Sequence, residues 1–486
     1  MSLLEAGTWQ GKIYSNGWIP GSGGEYPIKE PATGGNLGTL GAATPKDVTS
    51  AGQKAAEAQK GWAAASYEER AAVLRKAGDL WTQHADEVSG WIIRETGSIP
   101  PKAGFELHMA SAECYEASAL PSQPYGQLLR SAQPRLSLSR RLPVGVVGVI
   151  APFNVPLVLS IRAVAPALAL GNAVIVKPDP RTAVSGGVTL ARIFEEAGLP
   201  EGVLHVLPGG ADVGEAIVVD PHVSVIAFTG STRAGRAVAK LAGEHLKRVH
   251  LELGGNSALI VLDDADLEAA CSAGAFGSFF HQGQVCMSSS RHLVHESVAK
   301  RYTEIMAGKA DHLPVGNPAT DQVALGPIID ERQRDNIHRL VTTSVSAGAR
   351  LAAGGTYDGL FYKATVLADV PTTAPAYVEE IFGPVAPITP FKTLDEVAHM
   401  AADTPYGLSL GIITRDVMKG LELAGKIPSG LVHINDQTIV DEAQVPFGGV
   451  KQSGAGSRIG GMEANIEAFT EVQWVTLRSD VAKYPF

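Results

Sequence analysis

Cysteine is scarce in this 486-residue chain: Cys114, Cys271 and Cys286 lie far apart, and no C-x-x-C pair occurs. An odd, scattered set excludes a disulfide scaffold and argues against a cysteine-based zinc site. Long apolar runs are also missing. The best candidate, "LPVGVVGVIAPFNVPLVLSI", is broken by Pro143, Pro152, Asn154 and Pro156, so no membrane span is expected. The start, "MSLLEAGTWQGKIYSNG", lacks a basic stretch followed by an apolar core, and no secretory signal is read there. Positive charge is in deficit. A net charge of -10 argues against a nucleic-acid binder, and Arg140-Arg141 is too short a basic run to change that. A reducing, cytoplasmic setting is the expectation, and free thiols persist there.

Glycine and proline are plentiful, at 54 and 30 residues. Set between apolar runs, they suit an α/β protein with many tight turns. The length suggests two or three domains. Apolar residues at three- and four-residue spacing predict helices in "TPKDVTSAGQKAAEAQKGWAAAS" and "YEERAAVLRKAGDLWTQHADEVSGWIIRETG". The alternating "RLSLSRR" and the tail "EAFTEVQWVTLR" read as strands, the tail pairing outside the main body.

From Val144 a regular series begins: strand "VGVVGVIAP", helix "RAVAPALALG", strand "NAVIVKP", helix "AVSGGVTLARIFEEAG" and strand "GVLHVLPGG". It continues through helix "ADVGEAIVVD", strand "VSVIAFTGS", helix "RAGRAVAKLAG" and strand "KRVHLELGG". Continuous apolar strands alternating with helices predict a parallel sheet covered on both faces, with ligands at the carboxyl ends of its strands. A second α/β series follows Gly255.

Four pieces bear on chemistry. Cys286, in "FFHQGQVCMSSSR", is either a nucleophile or a buried structural cysteine, and the loop alone leaves the two about even. Glu252 ends an apolar strand before Gly254-Gly255; it is either an edge residue facing water or a carboxyl whose pKa is raised by burial. The double glycine favours close approach of bare backbone to a ligand, and with it a functional carboxyl. Asn154 in "APFNVP" is an oxyanion donor or a turn asparagine. Lys177 and the Gly230-Ser231 turn close two strands of the sheet, and the turn leads into a helix suited to phosphate.

In this order, "PFNVP", "KPD", "FTGSTRAG", "LELGG", "GQVC", "EEIFGP" and "PFGGVKQSG" resemble the NAD(P)-dependent aldehyde dehydrogenase superfamily over almost the whole chain. "HQGQVCM", "VHINDQ" and the closing "YPF" are most similar to its benzaldehyde dehydrogenases. The resemblance implies an α/β fold with a Rossmann-type parallel-sheet cofactor domain (1–120 and 143–252), an α/β catalytic domain (253–468) and a β oligomerisation arm and tail (121–142 and 469–486). It implies oxidation of an aromatic aldehyde through a cysteine thioester, with vanillin, salicylaldehyde or broad aliphatic substrates as the alternative. Cys286 would be the nucleophile, Asn154 with the Cys286 N–H the oxyanion hole, and Glu252 the base that activates water. Lys177, Phe153, Gly230, Ser231, Gly254, Glu380 and Phe382 would hold the cofactor, and Val155, Leu159, Phe280 and Phe447 would line the aldehyde site. No metal is expected, and a homodimer or homotetramer is.

Three departures matter. Pro180 and then Arg181 follow the lysine where a carboxylate often stands three residues on, so NAD is expected with NADP possible. His281 replaces the asparagine of F-x-N-x-G-Q-x-C and is read as supporting the loop. After "KQSG" the family's Gly-Arg-Glu becomes Gly456-Ser457-Arg458. A papain-like hydrolase lacks its local cysteine signature here. The histidines of "HLVH" would point to opposite faces of a strand, which argues against a metal site. Glu252 disfavours a CoA-acylating enzyme, and the intact Cys-Glu-Asn set disfavours a purely binding protein.

Overall fold

A computed structural model describes residues 2–486. Two seven-stranded sheets organise it. In the first, Arg248–Glu252, Val223–Thr229, Val146–Ile150, Ala173–Lys177 and Leu204–Val206 run parallel in that spatial order. Every residue of Val146–Ile150 and Ala173–Lys177 is buried. Covering both faces of a strand removes the need for polar alternation, which is why these segments read as unbroken apolar runs. Each valine or isoleucine so buried contributes about 1.5–3 kcal/mol of transfer free energy. An antiparallel hairpin, Lys12–Ser15 and Trp18–Pro20, extends this sheet beyond Leu204–Val206. It carries no strong periodic signal in the sequence.

The second sheet runs Arg350–Ala353, Thr365–Ala368, Val385–Phe391, Ser289–His295, Ser257–Val261, Ser409–Ile413, Leu431–Ile434. Only its first pair is antiparallel. Side chains of Ser257–Val261 alternate between two apolar clusters: Ala258 and Ile260 join one, Leu259 and Val261 the other. Successive strand residues face opposite ways, so this sheet too is covered on both sides.

Helix starts follow from their caps. Thr44 with Asp47 and Ser66 with Glu69 form capping boxes at Pro45–Ala64 and Tyr67–Gln83, each satisfying otherwise orphaned N–H groups. The second predicted helix is in fact two. Its backbone leaves helical geometry at His84 and resumes as Ala85–Thr96, which Gly97 ends in the left-handed region. "AVSGGV" also differs from expectation, because Val184–Val188 is a π-turn leading into Thr189–Ala197. Buried Glu95 accepts from the N–H groups of Val184 and Ser185 at 3.0 and 2.7 Å. A Cβ on Gly186 would lie 3.0 Å from Pro156, so the bare glycine lets this turn seat the start of helix Pro156–Ala169.

The tail strand Thr470–Leu477 pairs antiparallel with Leu136–Pro143 of the same chain, Trp474 opposite Ser139, and Gly126–Leu129 completes a three-stranded sheet. Among the described residues, no helix is long and apolar enough to cross a membrane.

Candidate active site

The carboxyl ends of the first sheet open into a cavity of about 890 Å³. Its wall includes Cys286, Glu252 and Asn154, and also Lys177, Phe153, Gly230, Ser231, Gly254, Glu380, Phe382 and Leu159. These residues, from Phe153 to Phe382 in the chain, come from strand ends, loops and helix Pro156–Ala169, and the two sheets bring them together.

Cys286 is half-buried. Burial first, then the carboxyls of Glu380, Glu252 and Asp441, pushes its thiol up to about 12. At neutral pH the resting thiol is protonated and needs local help to react. The double glycine of "LELGG" makes room for protein as well as for ligand: a Cβ on Gly255 would strike the Cys286 carbonyl, and one on Gly254 would strike the Glu380 carboxyl. Glu380 accepts from the Gly255 N–H at 3.0 Å, and burial raises its pKa to about 7.

Asn154 is buried, and its Nδ2 donates to the Gln284 carbonyl at 2.8 Å. An amide nitrogen carries two hydrogens, so one remains for a reacting oxygen. The thiol of Cys286 lies close to its own backbone N–H. Lys102 donates to the Asn154 carbonyl at 2.7 Å and pairs with Glu106, whose other oxygen accepts from the Leu157 N–H at 2.9 Å. Both charged side chains are almost fully buried. This clamp escaped the sequence reading, although Lys102 and Glu106 stand at i, i+4 spacing on the helix Pro100–Ser118.

Glu252 sits at the end of its strand with Oε2 buried and without a hydrogen-bond partner among the described residues. Burial raises its pKa well above the usual carboxylate range, against the pull of Arg162 and Arg458 and with the push of Asp441. Its strand is the edge of the first sheet, but the side chain lies half-buried on the cavity wall.

The outer cavity wall holds Lys177, which burial shifts towards the neutral amine. Ser231 caps helix Thr232–Glu244, accepting from the Ala234 N–H at 3.3 Å. Phe153 and Phe382 meet edge to face at 5.9 Å. Arg181 pairs with Asp179 at 2.8 Å and Asp330 at 2.6 Å, and its guanidinium lies 4.3 Å from the Phe153 ring centre. Asp179, Arg332 and Gln333 also line the cavity. Asp179 belongs to "KPD", whereas no motif marked Arg332 and Gln333, which lie on helix Glu331–Ser346.

The four side chains expected around an aldehyde divide. Leu159 and Phe447 line a water-sized void of about 20 Å³ beside Glu252 and Arg162. Phe280 stacks on Phe276 at 4.7 Å and joins Phe447, Val285 and Met287 in an apolar cluster with Cys286. Val155 packs instead with Met109, Val158 and Ala443. Arg162 is held by Glu113 at 3.0 Å and Asp441 at 2.7 Å, so Asp441 serves an internal ion pair.

His281 is fully buried at φ 49°, and burial with nearby Lys102 holds its imidazole neutral. His292 bridges Ser278 and Tyr302 at 2.6 and 2.8 Å inside the core, while His295 lies at the strand end beside Ser297.

Comparison with known proteins places the chain in a family. A model of the aldehyde dehydrogenase family matches residues 18–475. The chain belongs to the aldehyde dehydrogenase family. It is 66% identical to a vanillin dehydrogenase of Amycolatopsis sp. over 100% of both chains. It is 50% identical to the benzaldehyde dehydrogenase [NAD(+)] of Pseudomonas putida over 98% of each. The crystal structure of a salicylaldehyde dehydrogenase from Pseudomonas putida G7 complexed with salicylaldehyde superposes with a TM-score of 0.94, at 36% identity, covering 98% of this chain and 99% of that one. An aldehyde dehydrogenase is an oxidoreductase that draws on NAD(P), and the α/β fold of two largely parallel sheets is the family's.

Proposed function

We propose that this aldehyde dehydrogenase oxidises aromatic aldehydes of the benzaldehyde and vanillin kind to their carboxylic acids through a thioester on Cys286. One observation carries the mechanism: Cys286, Glu252 and Asn154 line the same cavity as Lys177, Ser231 and Glu380. The relatives named for aromatic aldehydes support the substrate class, and so does the apolar cluster of Phe280 and Phe447 around the cysteine.

In this reading the deprotonated Cys286 sulfur adds to the aldehyde carbon. The oxygen that becomes negative accepts from the free Asn154 Nδ2 hydrogen and the Cys286 N–H. NAD(P), held by Lys177, Ser231 and Glu380, would supply the hydride acceptor. Glu252 then takes a proton from water, whose oxygen attacks the thioester; the C–S bond breaks and the acid departs. Asn154→Ala should lower the rate about a hundredfold, roughly 3 kcal/mol of barrier, by loss of one donor. A variant with wild-type kcat would refute the oxyanion role.

The cavity fits a dinucleotide. Its volume is about 890 Å³, a helix N-terminus capped by Ser231 opens on it, and a Cβ on Gly230 would fall 2.7 Å from the Phe228 ring, so backbone is left bare beside it. Lys177 would serve the adenosine ribose, with Glu380 and Phe382 at the nicotinamide end. Arg181 is already neutralised by Asp179 and Asp330, so it is not free to take a 2′-phosphate, and NAD is preferred with NADP tolerated. The deciding experiment compares kcat/KM for benzaldehyde, vanillin, salicylaldehyde, acetaldehyde and succinate semialdehyde with each cofactor. Benzaldehydes should lead with NAD; an aliphatic leader would overturn the aromatic assignment.

We also read the protein as a cytoplasmic homodimer or homotetramer. The three-stranded arm sheet exposes Leu128, Val472 and Trp474, each at least 60% accessible, and unpaired strand edges invite a second copy. Sedimentation at micromolar concentration should give a dimer or tetramer, and a monomer would contradict it.

A further inference from the structure

We propose that Arg458 is the counter-ion of Glu252 in thioester hydrolysis, a positioning residue that meets the carboxylate across Gly448. The inference rests on the reading of Glu252 as the base. Arg458 Nη1 and Glu252 Oε2 are both buried, and neither has a hydrogen-bond partner among the described residues. Opposite charges withdrawn from water are costly until they pair. Gly448 separates them: a Cβ there would stand 2.6 Å from Arg458 Nη1 and 2.8 Å from Glu252 Oε1. The two groups lie more than 4.0 Å apart, and the bare glycine leaves a gap between guanidinium and carboxylate.

The other groups around Glu252 are committed or uncharged. Arg162, on helix Pro156–Ala169, is held by Glu113 and Asp441, keeps Nη1 without a partner, and draws on Glu252 as well. Asp441 opposes ionisation of Glu252. His250 of the same strand is held neutral by burial. Across the cavity stand the Cys286 thiol, protonated at neutral pH, and the Glu380 carboxyl, raised to about 7. Among the described residues, Arg458 is the cation beside the base that has no carboxylate of its own, since Arg162 already holds two.

The consequence falls on one half-reaction. Acylation needs Cys286 and Asn154. Hydrolysis needs Glu252 ionised when water's oxygen attacks the thioester carbon, its proton passes to the carboxylate, and Cys286 leaves as thiolate. A cation facing the carboxylate favours that ionised form and lowers the pH at which hydrolysis begins. When Glu252 takes the proton the attraction weakens. The departure from Gly-Arg-Glu after "KQSG" in this sequence is therefore part of the deacylation machinery.

The test follows NADH formation from benzaldehyde by rapid mixing and in steady state, across roughly pH 6 to 9. In Arg458→Gln the NADH burst should persist. The acidic limb of steady turnover should move up by about one pH unit, about a tenfold loss below it. Arg458→Lys should restore most of the shift, and Gly448→Ala, which sets a methyl group in the gap, should reproduce it. A Gln variant that keeps its burst and the wild-type limb overturns the proposal. Should that variant fail to fold, an unshifted limb in Gly448→Ala overturns it instead. Normal steady turnover in Glu252→Gln would sink the base assignment itself, whereas a stalled Glu252→Gln beside an unshifted Arg458→Gln would sink only this inference.

Discussion

Cys286→Ala should abolish aldehyde oxidation while leaving NAD binding intact. The sulfur is the atom that forms and breaks the bond to substrate in the proposed sequence, and no other cysteine can replace it. Cys114 and Cys271 are buried in the apolar clusters and do not line the cavity. Removing a covalent nucleophile should cost on the order of 10⁴ in rate or more. The Gly230-Ser231 turn and Lys177 lie elsewhere on the cavity wall, so calorimetry should record near-normal cofactor affinity in the variant. The wild-type thiol has a matching signature. Held up to about 12 by burial and three nearby carboxyls, it should react slowly with iodoacetamide at neutral pH and faster as pH rises. Measurable turnover in Cys286→Ala would end the thioester reading.

Glu252→Gln should still acylate and then stall. Glutamine matches the shape but cannot accept a proton from water. Rapid mixing should show about one equivalent of NADH per site, followed by turnover slowed by on the order of 10²–10⁴, the usual contribution of a general base. The pH dependence carries the sign. Burial raises the Glu252 pKa well above the carboxylate range, and only the ionised form activates water. Wild-type turnover should therefore rise with pH at values where an exposed carboxylate is already fully ionised, and the Gln variant should lose that limb. Steady, burst-free turnover in Glu252→Gln would reassign the base.

Much of this was legible in one dimension. Strands buried on both faces announce themselves as apolar runs, because nothing in them has to face water; Val146–Ile150, Ala173–Lys177 and Val223–Thr229 all lie within the segments read as strands. Glu252 stood out as a carboxylate in an apolar strand, Cys286 as a cysteine in the polar segment "HQGQVCMSSS", and Asn154 as an amide between two prolines. The resemblance to aldehyde dehydrogenases then named chemistry that periodicity alone could not.

Other features needed the folded chain. The tail strand was expected outside the main body, but alternation could not say that its partner would be Leu136–Pro143 of the same chain. The double glycine before Asn256 was read as bare backbone for a ligand, yet it also clears space for Glu380 and the Cys286 carbonyl. Nothing in the sequence sets Lys102 apart, yet its ammonium donates to the Asn154 carbonyl. Arg162 and Asp441, 279 residues apart, form an ion pair, and Arg458 faces Glu252 across Gly448. The physical reason is common to all of these. A strand or helix records its own burial in its residue spacing, because neighbours along the chain share one environment. A charge's partner is set by distances through space, and only the docking of the two sheets decides those.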